Sequence, residues 1–107
     1  RYNELLRPYA NVPDEGEGEY CVFQTFVVQV PRRDEFKAYL NKNGVEALVH
    51  YPIPLHLQPA AKNLGYKEND FPMTMAMSKK IISLPLYPEL SEQQQDHVVN
   101  LFKAFYK

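Results

Sequence analysis

The sequence predicts a small α+β domain in which helices pack on a largely antiparallel sheet. Three observations support this class. Residues 21–30 form a run of β-branched and aromatic residues, which is typical of a strand. Residues 91–105 repeat apolar side chains at helical spacing. Between these segments, shorter strand-like and helix-like stretches alternate, and the whole chain of 107 residues has the size of one domain.

The first third of the chain is predicted to hold the end of a helix, a loop and the clearest strand. Residues 3–7 resemble the last turn of a helix that Pro8 would end. Residues 8–20 carry proline, glycine and acidic side chains, as expected of a solvated loop. The strand is predicted over residues 21–30, with apolar groups on both faces and with Cys21 as a small buried residue.

The middle of the chain is predicted to pass from a helix to a strand and then to a rigid loop. The helix spans Arg33 to Asn43, and Gly44 supplies the left-handed residue after its C-cap. A second strand is predicted over residues 45–49, with alternate residues on one side. Residues 50–59 break all periodicity because three prolines fix their own backbone angles. A brief helical stretch is predicted over residues 59–64, and Gly65 is predicted to stop it.

The last third is predicted to contain two helices and a third short strand. Pro72 is suited to the first turn of a helix, and residues 82–84 can form the strand. Ser91 and Gln94 fit a capping box at the start of the final helix. His97 lies beside its apolar stripe, so a half-buried structural role is expected. That stripe consists of Val98, Leu101, Phe102 and Phe105.

Composition excludes several classes of partner. The formal net charge is −1 and no face is a run of Lys and Arg, so nucleic acid is not an expected partner. The longest apolar stretches fall far short of the ~20 residues that span a bilayer, and no signal peptide is recognisable, so no membrane partner is expected. The single cysteine permits no intrachain disulfide, which suits a cytoplasmic location.

The sequence contains no motif that would carry chemistry by itself. Cys-x-x-Cys and His-Glu-x-x-His motifs are absent, so no metal site is predicted. His50 and His56 stand six residues apart with no acidic residue between them, and separate roles are the simpler interpretation. The glycines lack the spacing of a phosphate-binding loop. We therefore predict no catalytic and no cofactor-binding residue in this chain.

One segment is suited to binding, residues 50–59 with the sequence HYPIPLHLQP. A loop this rich in proline has little conformational freedom to lose when a ligand binds. It carries a phenol, two imidazoles and a carboxamide, which are groups that hydrogen-bond to a polyhydroxy ligand. Composition alone leaves a second interpretation open, namely a rigid linker whose tyrosine and leucines only fill the core.

Several short motifs in the same order resemble one family. Residues 45–59, VEALVHYPIPLHLQP, resemble the hYPxPLHxQ signature of nucleotide-sugar aminotransferases of the DegT/DnrJ/StrS class. Residues 33–44 resemble the family's Arg-Asp-(Asp/Glu) start and L-x-x-x-G end of the preceding helix. Residues 70–72 resemble its dFP motif, and residues 83–91, SLPLYPELS, resemble its SLPLyPxLt stretch. Together these pieces cover roughly residues 32–106.

This resemblance implies a fold and a function. It implies the small C-terminal domain of a fold-type I aminotransferase that acts on keto nucleotide sugars in polysaccharide or antibiotic-sugar synthesis. The parent enzyme would use pyridoxal phosphate, held by a large N-terminal domain with the Schiff-base lysine, and would work as a homodimer. Residues 1–19 would be the end of a connecting helix and a loop, and residues 20–107 the small domain. This chain alone would hold no cofactor and would not be a working enzyme.

The resemblance also implies which residues face the substrate. Tyr51 and His56 would hydrogen-bond to sugar hydroxyls or phosphate of the nucleotide sugar. Gln58 and His50 are further candidates in the same loop. Their contribution in the intact enzyme would be positioning of the substrate.

Two other interpretations come from different functional classes. The chain could be a stand-alone, non-catalytic domain that binds a ligand or a protein. The missing initiator Met and the helix end at residues 3–7 favour a fragment instead. Residues 51–54 could also serve as a proline-rich ligand for an adaptor domain, but such ligands usually lie in disordered tails, and this segment is flanked by a predicted strand and helix.

Overall fold

The computed structural model describes all residues from 1 to 107. Four α-helices, two strands and three 3₁₀ turns follow one another along the chain. In order they are α1 (Tyr2–Leu6), β1 (Phe26–Gln29), α2 (Arg33–Lys42), 3₁₀ turns at Leu55–Leu57, Pro59–Leu64 and Glu68–Asp70, α3 (Pro72–Ser78), β2 (Ile81–Leu84) and α4 (Glu92–Phe105).

The sheet is an antiparallel pair of strands, so the predicted α+β class is confirmed. Phe26 of β1 lies opposite Leu84 of β2, and Gln29 lies opposite Ile81. One bridging residue extends the sheet on each side, because Asn11 pairs with Gln29 and Leu48 pairs with Ser83. The predicted third strand, residues 82–84, is therefore part of β2.

The helices cover this sheet with a single apolar core. Phe36 of α2 packs edge-on against Phe102 of α4, with ring centroids 4.4 Å apart. Tyr2 and Leu6 of α1 are buried in the same cluster as Phe26. We call α1, β1, α2, β2 and α4 the body, since all 16 buried residues of the chain lie in these elements or directly beside them.

The ends of the two longer helices form as the sequence predicts. The Ser91 hydroxyl accepts from the Gln94 amide, and the Gln94 side chain accepts from the Ser91 amide, which completes the capping box of α4. Gly44 follows α2 with φ of 78°, and the amide of Val45 donates to the carbonyl of Leu40. This is a Schellman ending, closed by the two buried side chains of Leu40 and Val45.

The prediction of a ten-residue first strand is wrong, because β1 contains only four residues. A strand extends no further than its partner, and Pro85 ends β2 by removing a backbone donor. Phe23 has a positive φ of 47°, so the chain turns away before it reaches the sheet. Cys21, predicted as buried, is therefore exposed. Val22 beside it is 85% exposed.

Two smaller predictions also need correction. Residues 45–49 show the predicted alternation, with Val45 and Ala47 buried, but pairing is limited to Leu48 because the chain leaves the sheet directly afterwards. His97 is exposed rather than half-buried, since its ring Nε2 reaches outward to the carbonyl of Asn43 at 3.1 Å.

Residues 50–80 form a projection that we call the arm. It contains the three 3₁₀ turns and α3, and none of its residues is buried. Gly65 ends the second turn with φ of 74°, as predicted for the stop after residues 59–64. The molecule measures 48 × 37 × 25 Å and its radius of gyration is 15.6 Å, against about 13 Å for a compact chain of this length. No helix is long and apolar enough to cross a bilayer.

Candidate functional site

The proline-rich loop begins where the chain leaves the edge of the sheet. Leu48 exchanges two backbone hydrogen bonds with Ser83 of β2, with N···O distances of 3.1 and 2.7 Å. Two residues later the ring Nδ1 of His50 lies 2.7 Å from the Ser83 hydroxyl oxygen. One residue of β2 therefore fixes the start of the loop through both backbone and side chain.

His50 lies on the wall of a cleft of about 320 Å³ beside the sheet. The cleft is open to solvent. Its polar groups come from three separate segments of the chain, and they are Gln24, Thr25, Glu46, His50, Ser83 and Tyr87. These groups supply donors and acceptors around one small space, as polar ligand sites require.

Tyr51 projects from the loop in a strained backbone conformation. Its φ is 54°, a left-handed value that a residue with a side chain adopts at a cost of roughly 1–2 kcal/mol. The side chain is 84% exposed, so burial does not offset that strain. Its ring centroid lies 6.5 Å from that of His50. Strain held at an exposed aromatic residue beside a cleft is typical of a binding loop.

His56 lies in the 3₁₀ turn Leu55–Leu57 and lines a different cavity, within the arm. Its ring centroid is 4.8 Å from that of Phe71, and its Nε2 is buried with no hydrogen-bond partner in the chain. The cavity has a volume of about 390 Å³. The other residues that line it are mostly apolar, and they are Leu55, Ala61, Leu64, Tyr66, Phe71 and Thr74.

Gln58 shapes the loop rather than a cavity. Its side-chain amide donates to the carbonyl of Ile53 at 3.3 Å, which closes the turn between them. Its side chain is half-buried against the same loop. The four predicted residues thus occupy different places: His50 lines the cleft, Tyr51 follows it as an exposed ring, His56 lines the arm cavity, and Gln58 lies inside the turn. Their contact with substrate stays a prediction.

Sequence reasoning missed the residues that meet His50 at the cleft. The predicted strand and the resemblance over residues 83–91 both include Ser83 but give its hydroxyl no partner, although a polar residue between buried Ile82 and Leu84 signals a side chain with a polar partner. Gln24 and Thr25 were assigned to the interior of a long strand, and the turn at Phe23 places them on the rim instead.

Tyr2, whose ring packs against that of Phe26, has an altered acidity. Burial, and to a smaller extent the negative charge that Tyr87 would carry, raises the pKa of Tyr2 to about 12. The Tyr2 hydroxyl is buried without a hydrogen-bond partner. This phenol therefore stays neutral under ordinary conditions and contributes no proton to the cleft.

The residues of this chain do not fit a pyridoxal phosphate site. A Schiff-base lysine needs a desolvated pocket to lower its pKa, and no lysine here is buried. The glycines after helices and in loops form no phosphate cradle, since Gly18, Gly44 and Gly65 stand singly at turns. No group of three or more His, Cys, Asp or Glu side chains is arranged to hold a metal ion.

Comparison with known proteins identifies the relatives of this fold. The family model for the DegT/DnrJ/EryC1/StrS aminotransferase family matches residues 1–103. The chain belongs to this aminotransferase family. A "Pleiotropic regulatory protein" of Geobacillus stearothermophilus is 44% identical over 95 residues, which cover 89% of this chain and 26% of that protein. A dTDP-3-amino-3,6-dideoxy-alpha-D-galactopyranose transaminase of Aneurinibacillus thermoaerophilus is 32% identical over 101 residues, which cover 94% of this chain and 27% of that protein.

Solved members of the aminotransferase family share the architecture. Streptomyces venezuelae DesV, crystallised with a ketimine intermediate, superposes with a TM-score of 0.92 at 28% identity and covers 99% of this chain and 29% of DesV. The PLP form of a putative sugar aminotransferase from Streptococcus pneumoniae superposes with a TM-score of 0.84 at 25% identity. The match covers 96% of this chain and 28% of that protein. The chain therefore spans about a quarter of the length of the relatives it matches, and the family is one of PLP-dependent enzymes.

Proposed function

We propose that this chain is the C-terminal small domain of a pyridoxal-phosphate-dependent aminotransferase that acts on keto nucleotide sugars. The observation that carries the proposal is the arm. It is folded into turns and a helix, yet it buries no residue and exposes several large apolar side chains. A surface of this kind is the mark of a segment that packs against a further protein surface.

The large N-terminal domain and a second subunit of a homodimer would provide that surface. Relatives are almost four times as long as the part this chain matches, which supports a large domain outside it. The division of the chain at residues 1–19 and 20–107 belongs to the same proposal. A net charge of −1 supports neither nucleic acid nor an anionic membrane as partner, in line with a cytoplasmic enzyme.

The division of labour between the domains follows from the side chains. Pyridoxal phosphate, when bound to the large domain, supplies the electron sink for amino-group transfer. The small domain would supply the wall of the substrate pocket. Tyr51 and His50 would offer a phenol and an imidazole to the sugar or diphosphate. His56 would form a hydrogen bond through its Nε2 once the arm is covered. Gln58 would keep the turn closed.

The experiment is an assay of the whole gene product that contains this chain. We expect glutamate-dependent amination of a keto dTDP- or UDP-sugar. Tyr51→Phe should raise KM at least several-fold, since a lost hydrogen bond to a ligand is worth about 1 kcal/mol. Tyr20→Phe is the matched control, because Tyr20 is as exposed as Tyr51 and lines neither the cleft nor the arm cavity.

Two results would overturn the proposal. A gene product that carries no lysine-bearing domain and still folds as a monomer would identify a stand-alone binding domain. Trapping of pyridoxal phosphate by borohydride on one lysine of this 107-residue chain would show cofactor chemistry where the structure has no fitting lysine.

A further inference from the structure

Ser83 is the one polar residue among the 16 buried residues of the chain, with 6% of its surface exposed. It lies in the middle of the sheet, paired with Val27 on one side and with Leu48 on the other. A hydroxyl in this position needs a hydrogen-bond partner, because leaving it unpaired would cost about 1–3 kcal/mol. The only side chain that meets it is His50, at 2.7 Å.

The burial of Ser83 decides which group donates. A neutral imidazole has one donor and one acceptor nitrogen, and a hydroxyl has one donor and two acceptor positions. If His50 Nδ1 donated, the Ser83 proton would be buried with no acceptor. If the hydroxyl donates to Nδ1, that proton has a partner and only a lone pair of the oxygen stays unpaired. An unpaired acceptor costs less free energy than an unpaired buried donor. Ser83 is therefore the donor and Nδ1 is the acceptor.

The second ring nitrogen then has a defined role. With Nδ1 occupied as acceptor, the proton of neutral His50 is on Nε2, at the opposite corner of the ring from Ser83. The chain gives Nε2 no hydrogen-bond partner, although the carboxylate of Glu46 lines the same cleft. The ring thus offers a fixed N–H donor to the cleft.

We propose that Ser83 is a positioning residue, which holds His50 in one rotamer as a neutral Nε2–H donor facing the cleft. Such a donor binds an acceptor oxygen of a ligand, such as a phosphate or carbonyl oxygen. It does not accept a hydrogen bond from a hydroxyl group. The identity of that ligand rests on the proposed function, whereas the state of His50 does not. The backbone supports the assignment, because the Leu48–Ser83 pairing fixes the chain two residues before His50 and the strained Tyr51 follows it.

The test is NMR on the 107-residue chain at pH about 9, where an ordinary histidine is neutral. The ¹⁵N shifts of the ring nitrogens report the tautomer, and three-bond couplings about χ1 report the rotamer. His97 is an internal reference, because its Nε2 meets the carbonyl of Asn43, an acceptor that fixes the proton on Nε2. We expect His50 to show an Nε2–H tautomer and a single χ1 rotamer.

Three variants separate positioning from packing. Ser83→Ala should average the His50 rotamer over several wells and mix its tautomers, with the Leu48 pairing intact. Ser83→Thr keeps the hydroxyl and should restore the wild-type spectrum of His50. Ser78→Ala is the matched control, since the Ser78 hydroxyl donates to the carbonyl of Met75 at the end of α3 and should leave His50 unchanged.

Two results would overturn the assignment. One is a wild-type His50 that has its proton on Nδ1 or averages over rotamers, and this holds even if Ser83→Ala fails to fold. The other is a folded Ser83→Ala chain in which the tautomer and rotamer of His50 are unchanged. Neither measurement uses substrate or cofactor, so failure here leaves the aminotransferase proposal standing, and failure of that proposal leaves this one standing.

Discussion

The body and the arm are built from similar side chains and use them in opposite ways. The body buries its aromatic residues, and Phe36 and Phe102 are both completely enclosed. The arm exposes its own, with Phe71 and Tyr66 packed edge to face at 5.2 Å between ring centroids and both in contact with solvent. Apolar area stabilises a fold only when it leaves water, at about 25 cal/mol per Å². The stability of this chain therefore resides in the body.

The arm is nevertheless fastened to the body at both of its ends. At the start, His50 bonds to Ser83. At the finish, the guanidinium of Arg33 donates to the carbonyls of Ser78 and Ile81 at 3.0 and 2.9 Å. An element that is fixed at both ends and apolar on its surface is suited to packing against a partner surface rather than to folding independently.

The largest expected difference between the two regions comes from one substitution made in each. Phe102→Ala should lower the free energy of unfolding by about 3–5 kcal/mol, because it opens a cavity in the core. Phe71→Ala in the arm should lower it by less than about 1 kcal/mol, since its ring is already in contact with water. Urea denaturation followed by circular dichroism measures both. Equal losses would show that the arm belongs to the cooperative core.

A pair of glycines offers a finer comparison. Gly44 and Gly65 have nearly equal φ values of 78° and 74°, and an added Cβ would meet no atom within 4 Å at either position. Replacing each by Ala therefore imposes the same backbone strain, roughly 1–2 kcal/mol. We expect Gly44→Ala to lower the free energy of unfolding by this whole amount and Gly65→Ala to leave it nearly unchanged. Thermal or urea unfolding measures both. A full loss at both positions would contradict independent behaviour of the arm.

The smallest expected effect concerns two tyrosines of the body at high pH. Burial raises the pKa of Tyr2 and of Tyr106 to about 12, above the ordinary value of 10. Because the folded state holds these protons more tightly, the two tyrosines contribute fully to the free energy of unfolding below pH 10. That contribution is lost as the pH rises towards 12. Tyr2→Phe and Tyr106→Phe should each flatten the decline of stability across this window.

At neutral pH the same two variants should differ. The Tyr2 hydroxyl has no partner, so its removal should leave stability unchanged or slightly higher. The Tyr106 hydroxyl donates to the carbonyl of Pro31 at 2.8 Å, so its removal should cost about 1 kcal/mol. Urea titrations at pH 7 and at several values above 10 measure both effects. A loss at pH 7 for Tyr2→Phe would indicate a hydrogen bond that the structure lacks.

Local rules predicted the features that depend on neighbours in the sequence. The capping box of α4, the Schellman ending of α2 and the stop at Gly65 all follow from residues within one turn of each other. The length of β1 did not follow, because the end of its partner at Pro85 limits it from across the sheet. The turn at Phe23 likewise exposes Cys21 against its intrinsic preference.

The candidate site shows the same limit. The sequence indicated the proline-rich loop and its four polar residues. It gave no sign that Ser83, which is 33 residues from His50, would meet that ring, since such a contact depends on the whole sheet. It also grouped His56 with Tyr51, whereas the 3₁₀ turn rotates His56 into the arm cavity.

Native-state hydrogen exchange on the 107-residue chain tests most directly whether stability resides in the body. The amides of Val28 and Ile82, within the paired strands, should exchange only on global unfolding, at a free energy within the 5–15 kcal/mol usual for a domain. The amides of Leu57 and Ala61 donate within the 3₁₀ turns of the arm and should exchange at least several hundred-fold faster. Equal protection of all four amides would contradict the account, because the arm would then be part of one cooperative core.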